Sequence, residues 1–271
     1  MDYFNDITAL ITGASSGIGR EFALQLAPHA STIIITARRL DRLEALKSEI
    51  NELHPEANVF IYGIDFADEE ARLQFLAWLG ENDLKIDLLI NNAGIGDHGP
   101  FIDGSWERIS RMLDLNIAAL THLTHQLLPD MIALGGGAIL NVSSVASLLP
   151  VPYLNVYAAT KAYVTSFSEG LRAELRGTGI SVTALCPGPV PTEFGKQATR
   201  LGENNQFDMT TPSWLSVDAA TVAREGLRAV AADRARCVPG LVMFLGALVL
   251  TLLPIFLIRP FLSAAKPKQT P

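Results

Sequence analysis

The sequence offers little to a metal ion or a disulfide framework. Its 271 residues hold two cysteines, Cys186 and Cys237. Neither stands in a CxxC pair or beside a histidine cluster, so no metal site is indicated and both read as ordinary thiols of a reducing compartment. Positive charge is also short: 21 Lys and Arg face 28 Asp and Glu, a formal net charge of −7. A nucleic-acid partner needs a basic footprint, so none is expected. Charged residues make up only 18% of the chain and hydrophobic residues 49%, which excludes a disordered chain and allows a substantial core. No internal repeat or inter-domain linker is visible. Met1 to Asp6 is polar and runs straight into an apolar stretch, unlike a signal peptide, so the expected location is cytoplasmic.

What is present is alternation. Short β-branched runs recur at Ile7–Ile11, Thr32–Thr36, Asn58–Tyr62, Ile86–Ile90, Ala138–Val142 and Ile180–Cys186, with a weaker one near Arg236–Pro239. Several are apolar on both faces, as parallel strands under two helical layers must be. Amphipathic stretches lie between them, at Arg20–Ala27, Asp41–Leu53, Glu69–Leu79, Trp106–Leu134 and Ala158–Arg176. Strand–helix alternation predicts an α/β fold, a doubly wound parallel sheet of about seven strands with helices on both faces. Residues 1–240 are expected to form one domain, and 241–271 an apolar C-terminal extension. Ligands of such sheets bind beyond the carboxyl ends of the strands. The polar stretch Gly195–Pro212, which follows the sixth strand, is therefore a candidate substrate lid.

The first strand runs directly into Thr12-Gly13-Ala14-Ser15-Ser16-Gly17-Ile18-Gly19, and a helical pattern follows. Gly13 permits a tight turn, Gly17 lets backbone approach a pyrophosphate, and Gly19 lets the helix pack closely on the strand. The helix N-terminus then offers free N–H groups and the positive end of its dipole to phosphates, which makes Gly13, Ser15, Ser16, Gly17, Ile18 and Gly19 candidate dinucleotide contacts. The second strand ends Ala37-Arg38-Arg39. An acidic residue here would accept from a ribose 2′-hydroxyl, and none is present; guanidinium groups bind a 2′-phosphate instead. The expected cofactor is NADP(H) in preference to NAD(H), with Arg38 the main contact and Arg39 the second.

Tyr157 and Lys161 stand four apart in a helical pattern and so share one face. A tyrosine with a pKa of about 10 is a poor proton shuttle at neutral pH, and a neighbouring ammonium is expected to lower it. Tyr157 can then give a proton to a developing alkoxide or take one from an alcohol. Asn141-Val142-Ser143-Ser144 closes the fifth strand and offers a hydroxyl to polarise a carbonyl, from either serine.

The TGxxxGxG turn, Asn91-Asn92-Ala93-Gly94 and Tyr157-Ala-Ala-Thr-Lys161, in that order, resemble the short-chain dehydrogenase/reductase family over about residues 5 to 240. The resemblance implies a Rossmann-type fold and hydride transfer between nicotinamide and a carbonyl or alcohol carbon. It selects Ser144, thirteen residues before the tyrosine, over Ser143, with Ser147 a further substrate contact. It implies that Lys161 also holds the nicotinamide ribose and that Asn116 holds a water linking the lysine to solvent. Asp65 is implied to meet the adenine amino group with Phe66 beside the ring. Asn91, Ala93 and Gly94 are implied to line the adenosine ribose, although a purely structural Asn91 is an equal alternative. The turn Pro187-Gly188-Pro189-Val190-Pro191-Thr192 is implied to meet the carboxamide through Val190 and the amide or phosphates through Thr192. A dimer or tetramer built on Trp106–Leu134 and Ala158–Arg176 is also implied.

Cys237 to Ile258 carries no charge, and Arg259, Lys266 and Lys268 follow. Three readings compete: helices covering the cleft or a subunit interface, a helix dipping into lipid within 241–262, and a true membrane span interrupted by Pro254. This tail, with Phe207, Met209 and Trp214, favours a hydrophobic carbonyl or alcohol substrate. The alternative from another class is a non-catalytic NADP(H) sensor or membrane-associated scaffold, which would have no need of both Tyr157 and Lys161.

Overall fold

The computed structural model describes residues 2–200, 215–254, 256, 257, 259 and 260. Most of the candidate lid, with Phe207, Met209 and Trp214, lies outside the described residues. Seven parallel strands form one sheet in the order β3-β2-β1-β4-β5-β6-β7. The strands are β1 (Thr8–Thr12), β2 (Thr32–Ala37), β3 (Asn58–Gly63), β4 (Leu88–Asn91), β5 (Gly137–Val142), β6 (Ile180–Leu185) and β7 (Arg236–Cys237). Strand order reverses between β1 and β4, and the crevice of a doubly wound sheet opens at that switch point.

Pleating sends alternate side chains to opposite faces, and both faces are buried. Ala9, Ile11, Ile33, Ile35, Leu88, Ile90 and Leu140 enter one core with Phe22, Leu26, Val222 and Leu227. Those partners come from α1 (Gly17–Leu26) and α8 (Ala219–Ala231). Leu10, Ile34, Leu89 and Ile139 enter the other core with Phe75, Leu123, Leu127 and Met131. Here the cover is α3 (Glu69–Glu81) and α5 (Leu120–Ala133). Each fully buried Leu, Ile or Phe contributes roughly 1.5–3 kcal/mol of transfer free energy, so the two-sided sheet dominates the fold. The remaining helices are α2 (Leu40–Leu53), α4 (Trp106–Leu113), α6 (Asn155–Glu174), α7 (Glu193–Ala198) and α9 (Leu241–Leu252).

The elements read from the sequence have boundaries within three residues of those observed except in one place, and α7 and α8 are not among them. The stretch Trp106–Leu134 is not a single α-helix. Asp114–Ala119 forms a π-helical turn between α4 and α5. Such turns insert an extra residue and gather at functional sites; here the turn carries Asn116.

The apolar tail ends its helix at Leu252, before Pro254. Twelve residues rise about 18 Å, short of a hydrocarbon core of about 30 Å, and no described helix is long and apolar enough to cross a membrane. Among the described residues, the membrane-span reading therefore has no helix to carry it. α9 packs on residues 145–148 and lays Met243 over Gly188, so it covers one edge of the cleft. Its outward side chains, Leu241, Leu245, Leu248 and Leu252 among them, are exposed.

Candidate active site

A cleft of about 880 Å3 opens at the carboxyl edge of the sheet. Of the residues selected from sequence as catalytic or cofactor-binding, all line it except Gly19, Asn91 and Asn116. Ser147 does not line it either.

The glycine turn is built as a cradle. Gly13 has φ +70° and a Cβ there would stand 2.9 Å from the Ala93 Cα. Gly17, at φ +58°, faces the Thr192 side chain, which a Cβ would meet at 3.2 Å. Gly19 works from behind: its Cβ would strike the Gly13 carbonyl oxygen at 2.4 Å and Asn92 Nδ2 at 2.5 Å. Thr12 and Asn92, both missed from sequence, tie the turn to the end of β4. Thr12 Oγ1 accepts from the Asn92 and Ala93 amides at 3.0 and 2.9 Å, and Asn92 Nδ2 donates to the Thr12 and Gly13 carbonyls at 2.9 and 3.2 Å. Asn92 stands inside a motif already singled out, and its neighbour Asn91 drew the attention instead. No side chain caps α1, and its first residues Gly17 and Ile18 line the cleft, where uncapped amides can meet an anion. A glycine-lined cradle with uncapped amides fits the pyrophosphate of a dinucleotide.

At the end of β2 the two arginines differ. Arg38 is exposed, lines the cleft and makes no hydrogen bond or ion pair with the described residues. Arg39 donates from Nη2 to the Ser15 and Ser16 hydroxyls, each at 3.0 Å, and from Nη1 to Glu193 Oε2 at 2.8 Å. Asp65 accepts from the Ala67 amide at 3.1 Å and pairs with Arg111 of α4. The Phe66 ring is buried edge-on against Phe75, with centroids 5.6 Å apart. Asn91 turns under the sheet, where Nδ2 donates to Thr124 Oγ1 at 3.1 Å and Asn141 Oδ1 at 2.9 Å. Its geometry is that of a buried link between strands and α5.

Tyr157 and Lys161 sit on the first turns of α6, both buried and both on the cleft. The Lys161 Nζ lies 5.7 Å from the centre of the Tyr157 ring and donates to the Val142 carbonyl at 2.8 Å. The expected lowering of the phenol does not appear. Burial pushes Tyr157 up to about 12, against an opposing hydrogen bond from Ser144, and pushes Lys161 down to about 8. Desolvation disfavours both charged forms, phenolate and ammonium alike. At neutral pH the phenol is protonated, the form that can donate.

Ser143 and Ser144 divide their work. The Ser143 hydroxyl is buried, donates to the Lys161 carbonyl at 2.8 Å and bonds Thr165 Oγ1 at 2.7 Å. Ser144 faces the cleft, accepts from the Ala146 amide at 3.1 Å and lies within hydrogen-bonding reach of the Tyr157 phenol, so the two hydroxyls converge on one point of the cleft. Asn116 is buried behind them. Its Oδ1 accepts from the Ile95 amide, and its Nδ2 donates to the Ile95 carbonyl and Thr160 Oγ1, all at 3.0 Å. A Cβ at Gly94 would come within 3.2 Å of Asn116 Oδ1 and 3.4 Å of Lys161 Nζ, so Gly94 leaves the gap between amide and ammonium open.

The Pro187–Thr192 turn forms the opposite wall. Thr192 Oγ1 caps α7 by accepting from the Phe194 amide at 3.3 Å. Phe194, unremarked in the sequence, places its ring 5.4 Å from that of Tyr157. With Leu149, Val151 and Leu154 it gives the cleft an apolar end beside the phenol.

The family model for short chain dehydrogenase matches residues 7–201. A sulfoacetaldehyde reductase of Chromohalobacter salexigens is 42% identical over 189 residues, 68% of this chain and 72% of that protein. A human very-long-chain 3-oxoacyl-CoA reductase is 35% identical over 192 residues, 69% of this chain and 61% of that one. Among solved structures, a short-chain dehydrogenase from Sphingobium yanoikuyae in complex with NADPH superposes with a TM-score of 0.79 at 29% identity, over 98% of each chain. The chain belongs to the short-chain dehydrogenase/reductase family. It is a Rossmann-fold oxidoreductase that acts on alcohol or carbonyl groups.

Proposed function

We propose that this enzyme reduces the carbonyl of a hydrophobic substrate, or oxidises the matching alcohol, with NADP(H) as cofactor and Tyr157 as the acid–base group. The observation that carries the reading is the placement of Tyr157 and Lys161 side by side on one cleft with the glycine cradle and Arg38. When bound, the dinucleotide supplies or accepts the hydride. The glycine turn and the α1 amides would hold its pyrophosphate, and the Arg38 guanidinium, without a partner among the described residues, would take a 2′-phosphate.

The chain's own residues supply the rest. Ser144 O–H orients and polarises the substrate oxygen, and Tyr157 O–H delivers the proton as charge grows there. Lys161, held by the Val142 carbonyl, keeps positive charge near the phenol oxygen and favours the phenolate left after transfer. Asn116 borders the open space beside Lys161 and can hold a water that returns the proton. The named relatives act on substrates as unlike as a small sulfonated aldehyde and a long acyl chain, and the apolar wall of Leu149, Val151, Leu154 and Phe194 supports a hydrophobic one here. We take residues 1–240 as the catalytic unit and 241–271 as an apolar extension, whose helix α9 lies along the cleft edge. Exposed Ile132 on α5 and Tyr163 on α6 support a homo-oligomer joined across those helices. A panel of ketones and aldehydes, followed by loss of NADPH absorbance, tests the reading. Absence of turnover across apolar ketones of graded size would reject the substrate class.

A further inference from the structure

The two arginines at the end of β2 are in different states. Arg38 has no partner among the described residues, whereas Arg39 already holds an anion. Glu193, the first residue of α7, reaches it from 154 positions away, with Oε2 accepting from Arg39 Nη1 at 2.8 Å. The same carboxylate accepts from Arg42 Nη1 at 2.7 and 2.9 Å. The rest of the Arg39 guanidinium rests on the phosphate turn, through Ser15 and Ser16. Glu193 therefore stands at the rim of the cleft, between Thr192 and Phe194, which both line it.

We propose that Glu193 is a built-in competitor for the 2′-phosphate: it occupies Arg39 and so reduces the preference for NADP(H) over NAD(H). This rests on the dinucleotide reading above. A carboxylate and a phosphate monoester bind a guanidinium in the same forked geometry. The phosphate carries close to two negative charges at neutral pH, so it can take Arg39, but only by displacing Glu193 and against its repulsion. A ribose 2′-hydroxyl meets neither obstacle, and NAD(H) leaves the pair intact. Arg39 and Arg42 hold the Glu193 carboxyl down to about 2, so the competitor stays charged at any pH the enzyme meets. The far end of α7 is held independently: Arg108 Nη2 donates to the Gln197 and Ala198 carbonyls at 2.6 and 3.1 Å. Removing the charge of Glu193 thus leaves the helix anchored.

The test is Glu193→Gln, with NADPH and NADH titrated into wild type and variant by calorimetry at one fixed ionic strength. Melting curves establish that both are folded. An exposed ion pair of this kind is expected to shift binding by about two- to fivefold. NADPH should therefore bind that much more tightly to the variant, with NADH unchanged. An unchanged NADPH/NADH ratio, or weaker NADPH binding, overturns the proposal. If wild type prefers NADPH and the ratio does not move, Glu193 fails and the cofactor reading stands. If neither protein distinguishes the two dinucleotides, both fail together. If only the variant prefers NADPH, the carboxylate was masking the preference and the proposal holds.

Discussion

Replacing Gly19 by alanine sets two opposed effects against each other. Gly19 lies within α1, where alanine is favoured over glycine by about 1 kcal/mol. Propensity alone therefore predicts a more stable protein. Packing predicts the reverse. The new Cβ would fall 2.4 Å from the Gly13 carbonyl oxygen and 2.5 Å from Asn92 Nδ2. The obstacle is backbone and a side chain held by two hydrogen bonds, so neither yields cheaply. Overpacking of this kind costs about 1–3 kcal/mol, and weakening the Asn92 bonds adds roughly 1 kcal/mol each. After the helical gain the net loss is about 2–4 kcal/mol. Because the displaced atoms belong to the phosphate cradle, dinucleotide affinity should fall as well. Gly80→Ala is the control: it lies in α3 with nothing within 4 Å of its Cβ, and should be neutral or slightly stabilising. Urea unfolding and NADPH titration measure both quantities. A Gly19→Ala protein as stable as Gly80→Ala, with undiminished NADPH binding, would refute the role given to this glycine.

Tyr157→Phe should lower kcat by about 10²–10⁴ while NADPH binding stays near wild type; turnover at the wild-type rate would remove the phenol from the mechanism. Arg38→Ala should weaken NADPH binding by about tenfold or more and leave NADH little changed, read as a ratio of dissociation constants; an unchanged ratio ends the assignment of Arg38. Lys161 gives a pH signature. Its folded-state value, lowered to about 8 from 10.5, means that the unfolded chain binds more protons between those values, so stability rises with pH across that window. From pH 7 to 9.5 wild type should gain roughly 2 kcal/mol relative to Lys161→Met in denaturant titrations. A constant difference would show that the ammonium is not desolvated.

The parts legible in the sequence were those whose cause is local. Two-faced apolar strands declare a covered parallel sheet, and glycines between a strand and a helix declare a phosphate turn. Four-residue spacing brings Tyr157 and Lys161 to one face. What escaped depends on partners far along the chain. The π turn at Asp114–Ala119 has no propensity signal; what fixes its asparagine is the Ile95 backbone, 21 residues away, and Thr160, 44 away. Glu193 reads as an ordinary helix-start acid until the fold brings Arg39 and Arg42 beside it. The upward push on the Tyr157 phenol escaped for a related reason: sequence names the neighbouring ammonium, but depth of burial is a property of the assembled cleft.

The two serines at the end of β5 show how a local ambiguity is resolved. Alternation along a strand sends Ser143 and Ser144 to opposite sides without saying which side is the cleft. The fold answers through Lys161. Its carbonyl accepts from Ser143 and its ammonium donates to the Val142 carbonyl, so the last residue of β5 and the one after it grip the helix at the lysine. With that grip in place the Ser143 hydroxyl, although its residue also borders the cleft, is already engaged by the Lys161 carbonyl and Thr165, whereas Ser144 is turned toward the Tyr157 phenol. Ser143→Ala should accordingly disturb the seat of Lys161, whereas Ser144→Ala should remove a donor at the substrate oxygen and leave the helix where it is.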